Sequence, residues 1–541
     1  MRLMPAPATL RSRLGRQDGY SMLVVLFVMV AAATFVAAGF AAANGELPVS
    51  RLSQDRKVAY AAAESGVNYY KFKLDGDPDY WSGCARQDPA APTPVNQPGT
   101  VPARWRTIPG STAQYTVELI PAPGFAQCVE NNAASVIDPQ TGALRIRVTG
   151  RPSATSSVRR TIVAAFRRDS FLDYLYFTDF ETLDPDAYST TGTPNSTWAG
   201  LNCKVPRESR PNGCEEITFW GFDKINGPFH TNDDIQTCGA PVFGRSAADV
   251  IEVSGPSPGW GSLGGSSCAG SPTFSTPLVS DADPLHMPPT NAKLATVAQS
   301  AYLFTGKTTI RFTGTTGSTA MTVTNPFKNN GVAYSLAMPA NGVIYVKNGT
   351  GASSSSPACT GTVSPKQATY AESTGCAEVY VSGTYTGSVT IGSAKDIIVS
   401  APDGTSNGDL VRVDDSVVMG LIADNYVRVA HPVSSGANVT TGTGRRTMPS
   451  VRIDAAILSL QHSFIVDNYN QGAKLGTLTV NGAIAQKFRG PVGTSAPSGY
   501  EKNYNYDDRL RFRTPPYFLD PVASSWNLNR TNEQVPPAQT A

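Results

Sequence analysis

The sequence predicts a mainly β protein carried on one N-terminal helix, and three observations lead there. Glycine (49) and proline (41) are abundant while only 16% of residues are charged, a mix that makes short strands and many turns rather than helical bundles. A single uncharged run, Tyr20 to Ala43, lies near the N-terminus behind Arg2, Arg11, Arg13 and Arg16. From about residue 301, short β-branched pieces bounded by Gly, Asn or Asp recur. The expected architecture is a transmembrane and amphipathic α-helix, a small antiparallel β head, and a β-rich region. That region is read as a parallel β-solenoid, with a β-sandwich as the alternative.

The 541 residues suffice for two to four domains. The expected boundaries are a basic leader over 1–19, a transmembrane helix over 20–45 and an amphipathic helix over 46–75. An antiparallel head follows over 76–170, then a disulfide-bearing β-rich linker region over 171–300. The solenoid takes 301–490, and a C-terminal cap and tail take 491–541.

The uncharged run has 24 residues. As a helix it spans about 36 Å, enough for a hydrocarbon core of about 30 Å. The basic leader keeps the N-terminus cytoplasmic and places the bulk of the chain outside, at the cell surface or in a filament. Residues 20–45 then contact membrane lipid. Ala41-Ala42-Ala43 also offers a signal-peptidase site, but the run exceeds the about 7–15 residues of a secretory h-region. Leu52, Ala59, Ala63, Val67, Tyr70 and Leu74 continue at helical spacing. Pro48 marks a kink or a new first turn between the two parts.

Three strands are expected next. They are Tyr115–Pro123, the strictly alternating Ala143–Arg151 behind a DPQTG turn, and Val158–Arg168. The amphipathic helix needs such a sheet to bury its apolar face. The arginine pairs at 159–160 and 167–168 are expected on a solvated strand face.

A basic leader, Gly19-Tyr20, the apolar run and then DRKVAYAAAESGVNYYKF (Asp55–Phe72) resemble a type IV prepilin, in particular the PilX-type minor pilins and related pseudopilins. The resemblance implies cleavage between Gly19 and Tyr20 and methylation of Tyr20 by a prepilin peptidase. It also implies a pilus assembly platform and other pilins as partners. The chain departs from the pattern at the fifth mature position, where Val24 replaces the usual glutamate. Minor subunits such as the tip of type II secretion pseudopili share that departure.

Eight cysteines follow the apolar run: Cys84, Cys128, Cys203, Cys214, Cys238, Cys268, Cys359 and Cys376. An even number, with no CxxC pair, suits an oxidising compartment and up to four disulfides. The connectivity stays open; pairing of sequence neighbours would staple four local regions.

Chemistry-bearing residues are few. A net charge of +2, without clustered Lys and Arg, excludes a nucleic-acid footprint. His230, His286, His431 and His462 are the only histidines, so no metal or cofactor is expected. Asp173, Asp179 and Glu181 lie in an aromatic run (Phe171–Pro185) expected to pack its rings and leave its acids outside. Asp223, His230, Asn232, Asp233 and Asp234 are read as strand corners, in a GPxHTN stretch that also resembles large PilX-type envelope proteins. A polysaccharide-acting solenoid would draw on Asp414-Asp415 or Asp507-Asp508-Arg509. No HExxH or Walker motif occurs. The expectation is therefore a structural, non-enzymatic envelope protein, a minor or tip pilus subunit. A signal-anchored adhesin for a surface glycan or protein, or a β-solenoid enzyme, is the alternative.

Overall fold

The computed structural model describes residues 20–84, 95–96, 104–138, 141–315, 320–354, 356–361, 364–371, 373–494, 498–522 and 526–538. Gly19 and the leader arginines lie outside the described residues. The molecule is mainly β, with 34% strand against 19% helix, and its largest sheet curls like a half-barrel.

One helix runs unbroken from Tyr20 to Gly76. The expected division near residue 45 is absent. A proline removes a single helical hydrogen bond, and Pro48 has four or more turns of helix on either side. Met22–Phe40 is exposed throughout. The other half buries Ala59, Ala62, Ala63, Val67, Tyr70 and Leu74 against the head sheet. In that sheet the order is Val95–Asn96, Gln114–Ile120, Ala143–Arg151, Arg160–Arg168 and Trp526–Gln534, with Arg106–Thr107 also on the second strand. The pairings are antiparallel except the first. Leu144, Ile146 and Val148 face the helix, alternating with arginines, because side chains on a strand repeat with period two.

Two expectations are corrected in this head. The sequence predicts a C-terminal cap and tail over 491–541. Instead Trp526–Gln534 forms the last head strand, with Glu533 opposite Ile162 and Gln534 opposite Thr161, and the Ala538 amide donates to Thr161. Trp526, 1% exposed, anchors it in the head core. Nor is Arg167 solvated: it is buried and donates to the carbonyls of Arg511 (2.6 Å) and Leu510 (3.3 Å). It thus ties the head to the β-rich body.

The body, residues 171–522, is inserted between the last two head strands. Its strands pair mainly in parallel. In one ladder Leu303–Thr305, Val343–Lys347, Val389–Ser393, Met419–Ala423, Ala456–Ser459 and the second half of Lys474–Phe488 stack in turn. Tyr176–Phe180, Phe229–Thr231 and Ile251–Val253 continue the same ladder. The chain therefore enters the stack in its middle and builds outward. It then crosses to the far end and winds back. Six strands of 171–300 belong to the same sheet as 301–490 rather than to a linker, while Phe219–Trp220, Ile235–Cys238 and Trp260–Ser262 form a separate three-stranded parallel sheet.

A second ladder runs through Thr308–Thr313, Glu378–Tyr385, Leu410–Arg412, Val451–Ile453, Lys474–Phe488, Ser498–Tyr506, Lys224–Asn226, Val242–Phe243 and Thr273–Phe274. Glu378–Tyr385 also opens a third, through Asp396–Val399, Val427–Val429 and Phe464–Val466. Thr390 pairs with Gly420, Gly420 with Ala456 and Ala456 with Ala483, so successive strands of this ladder lie 30, 36 and 27 residues apart. Between them the chain runs through strands of the other ladders and turns of variable length. Val389, Ile391, Met419, Leu421, Ile457 and Ile484 stack in the enclosed core.

Candidate functional site

The apolar half of the helix is the most distinctive surface. Met22–Phe40 has a mean hydropathy of 2.6 and none of it is buried. Phe27, Phe35 and Phe40 are each at least 70% exposed. Nineteen residues rise about 28 Å, close to the hydrocarbon thickness of a bilayer. This helix is long and apolar enough to serve as a membrane anchor.

The cysteines pair as sequence neighbours: Cys84 with Cys128, Cys203 with Cys214, Cys238 with Cys268 and Cys359 with Cys376. The first closes the head around Trp81. The others staple loops that leave the body. Four bridges fit an extracytoplasmic domain.

The acids nominated from sequence do not converge. Glu181, expected outside, is fully buried and bonded to Arg489 at 3.0 Å. Burial raises its pKa and Arg489 opposes the shift. Asp233 accepts from the amides of Glu181 and Arg207 and pairs with Arg210, while Arg210 also holds Glu216 at 2.5 Å. His230 faces the other way, with Nδ1 2.9 Å from Glu252 and Nε2 3.0 Å from Asn232. Tyr174 donates to the same glutamate, and Asn232 donates to Asp179 (2.9 Å). Every polar atom of the His230 ring is thus committed inside the protein. Asp173 accepts from the Ser170 amide at 3.0 Å and caps a short turn. Asp223 is bonded to Lys502 at 2.9 Å.

The pairs nominated for polysaccharide chemistry are also engaged. Asp414 accepts from the amide and hydroxyl of Ser416. Asp415 meets Arg412 at 2.9 Å, Asp507 pairs with Arg509, and Asp508 reaches Arg245 at 2.7 Å. These are turn and ion-pair positions, and of the pairs just named Arg245–Asp508 joins segments far apart in sequence.

Asp234 differs. One of its oxygens is buried without a hydrogen-bond partner, and its pKa is raised to about 6 by burial and then by Asp233 and Glu208. A carboxyl raised in the folded state stabilises below its unfolded pKa of about 4, and that contribution is lost as pH rises through 6. Asp234→Asn therefore raises stability at pH 7.5 by up to about 1 kcal/mol, after allowance for partial exposure. The gain disappears at pH 4. Chemical unfolding at both pH values checks this, and an equal gain at both would refute it.

Two places were not legible in the sequence. A cleft of about 310 Å³ lies where the head meets the body, lined by Arg167, Asp173, Tyr174, Val250, Arg511 and Phe512. The second place brings Asp184 and Asp186 to His462. Asp184, fully buried, accepts from Tyr426 Oη (3.0 Å), Ser463 Oγ (2.9 Å) and the Asp186 amide (3.1 Å), and it lies 3.0 Å from His462 Nδ1. Burial lowers the pKa of His462, but Asp184 and then Asp186 outweigh it and hold the ring above its usual value. Burial raises the pKa of Asp186, against His462. A Leu-Asp-Pro-Asp turn was the only local signal, and the histidine lies 278 residues from Asp184.

Compared with protein-family models, with curated proteins and with solved structures, the chain finds no match.

Proposed function

We propose that this chain is a structural subunit of a bacterial cell envelope, a minor or tip subunit of a type IV pilus-like filament. It is held in the membrane before assembly and carries its β-rich body outside. The observation that carries this reading is the division of one helix, Tyr20–Gly76. Its apolar half is left unburied by the described residues, and its other half is sealed in the head sheet. A bare apolar helix requires a cover. Lipid supplies it before assembly, and the helices of other pilins supply it afterwards. Gly19–Tyr20 is then the site for prepilin peptidase, and an assembly platform draws the subunit from the membrane.

Val24 suits a subunit placed once rather than a repeating one, since a terminal ammonium within a helix bundle needs a carboxylate partner in every repeat. The parallel ladders are read as the faces of a β-solenoid inserted into the head. Both ends of that insertion are tied to the head, which suits a module displayed at a tip toward a surface glycan or protein.

Mass spectrometry of the N-terminal peptide from the native host tests the reading. The expected result is a chain beginning at N-methylated Tyr20. A start at Asn44 or near Met1 would overturn it, the second leaving a signal-anchored surface protein.

A further inference from the structure

We propose that His462 and Asp186 ligate a divalent transition-metal ion of the zinc class, with Asp184 holding the imidazole from behind. Candidate donor atoms of the three residues lie within 4.8 Å of one another. Asp184 caps the short turn Pro185–Ala187, and this turn holds Asp186 opposite the histidine. The imidazole comes from the turn between Ala456–Ser459 and Phe464–Val466. It is fixed from two sides. Asp184 receives its Nδ1 proton at 3.0 Å, and the Tyr426 ring stacks on it with centroids 4.4 Å apart and planes at 22°.

With Nδ1 bonded to Asp184, the other nitrogen is the one available to a ligand. His462 Nε2 lies 3.8 Å from Asp186 Oδ2. That gap is too long for a hydrogen bond. Two metal–ligand bonds of about 2.0–2.2 Å span it. A carboxylate behind the ring is the arrangement that orients metal-bound histidines and raises their basicity. The Asp186 side chain is 48% exposed and His462 21%, so the ion enters from solvent and water completes its shell. Imidazole with carboxylate favours zinc-class ions, whereas calcium takes six to eight oxygens. The proposal stands independently of the filament reading.

The experiment is calorimetric titration of the untagged full chain, in detergent, with Zn²⁺. One saturable equivalent is expected, with no response to Ca²⁺. Asp186→Asn and His462→Ala weaken binding at least tenfold, and His286→Ala, which alters an exposed histidine elsewhere, leaves it intact. Asp186→Asn keeps the proposal falsifiable, because its side chain bears no part of the turn's cap; the metal-free variant should fold as the wild type does, by circular dichroism. Absence of Zn²⁺ binding by the wild type, or unaltered binding by Asp186→Asn, would overturn the site. Loss of binding in His286→Ala would also do so, by placing the ion elsewhere.

Discussion

Arg428→Ala lowers the stability of the body by about 3–5 kcal/mol, the cost of breaking a buried ion cluster by removing one partner. The guanidinium is wholly buried. It lies 3.3 Å from Asp467, 3.3 Å from Asp396 and 3.8 Å from Glu378. Burial alone would lower its pKa, yet Asp467, Asp396 and Glu378 outweigh that and hold it well above the usual value. The arginine sits in register between Ile398 and Ile465, so its partners come from neighbouring strands of the ladder and the cluster stitches them together. Without it, Asp467, Asp396 and Glu378 lose the counter-charge they share, and Lys395, 3.4 Å from Glu378, reaches that carboxylate alone among these three in the described ion pairs. Arg428→Lys should fall between, because a lysine keeps the charge without the planar fork. Urea unfolding of the full chain in detergent measures all three. An alanine variant within 1 kcal/mol of the wild type would show that the cluster does not hold these strands together.

That cluster also marks the limit of reading from sequence. Periodicity exposes what a residue's own element demands. Ala143–Arg151 alternates strictly and is a central head strand. Ala59, Ala63, Val67, Tyr70 and Leu74 fall at helical spacing and are the buried stripe. Partners far along the chain leave no such trace. Glu181 reads as solvated because the arginine that neutralises it lies 308 residues away, and the Asp184–His462 contact spans 278. The last head strand was missed for a related reason. Trp526–Gln534 buries only its first residue and exposes most of the others. An edge strand of this kind has no apolar alternation, and its sequence reads as a polar tail. Cysteine pairing followed sequence proximity, but only the folded chain selects among the connectivities.

Gly150→Ala should detach the helix from the head sheet at a cost of about 2–3 kcal/mol, toward the upper end for overpacking. A Cβ at Gly150 would lie 2.1 Å from the carbonyl oxygen of Ala59 and 2.5 Å from the amide nitrogen of Ala63. Both are helix backbone, and neither can turn aside. To admit one methyl group the helix must lift, which opens the contacts of Ala63, Val67 and Tyr70 with Val148, Ile162 and Phe166. Gly66→Ala makes the contrast. Its Cβ would meet Val148 and Tyr115 side chains at 2.5 and 2.7 Å, which can rotate. Alanine also gains about 1 kcal/mol of helix propensity there. Its net cost should therefore be smaller. Gly39→Ala meets nothing within 4 Å and should not destabilise the head. Thermal unfolding with limited proteolysis ranks the three. The body has its own core, so in Gly150→Ala cleavage should begin in the helix near Ala59 while the body stays resistant. If Gly150→Ala proved as stable as Gly39→Ala, the helix would not lie in the groove that Gly150 opens, and the division of the helix into a bare half and a sealed half would fail with it.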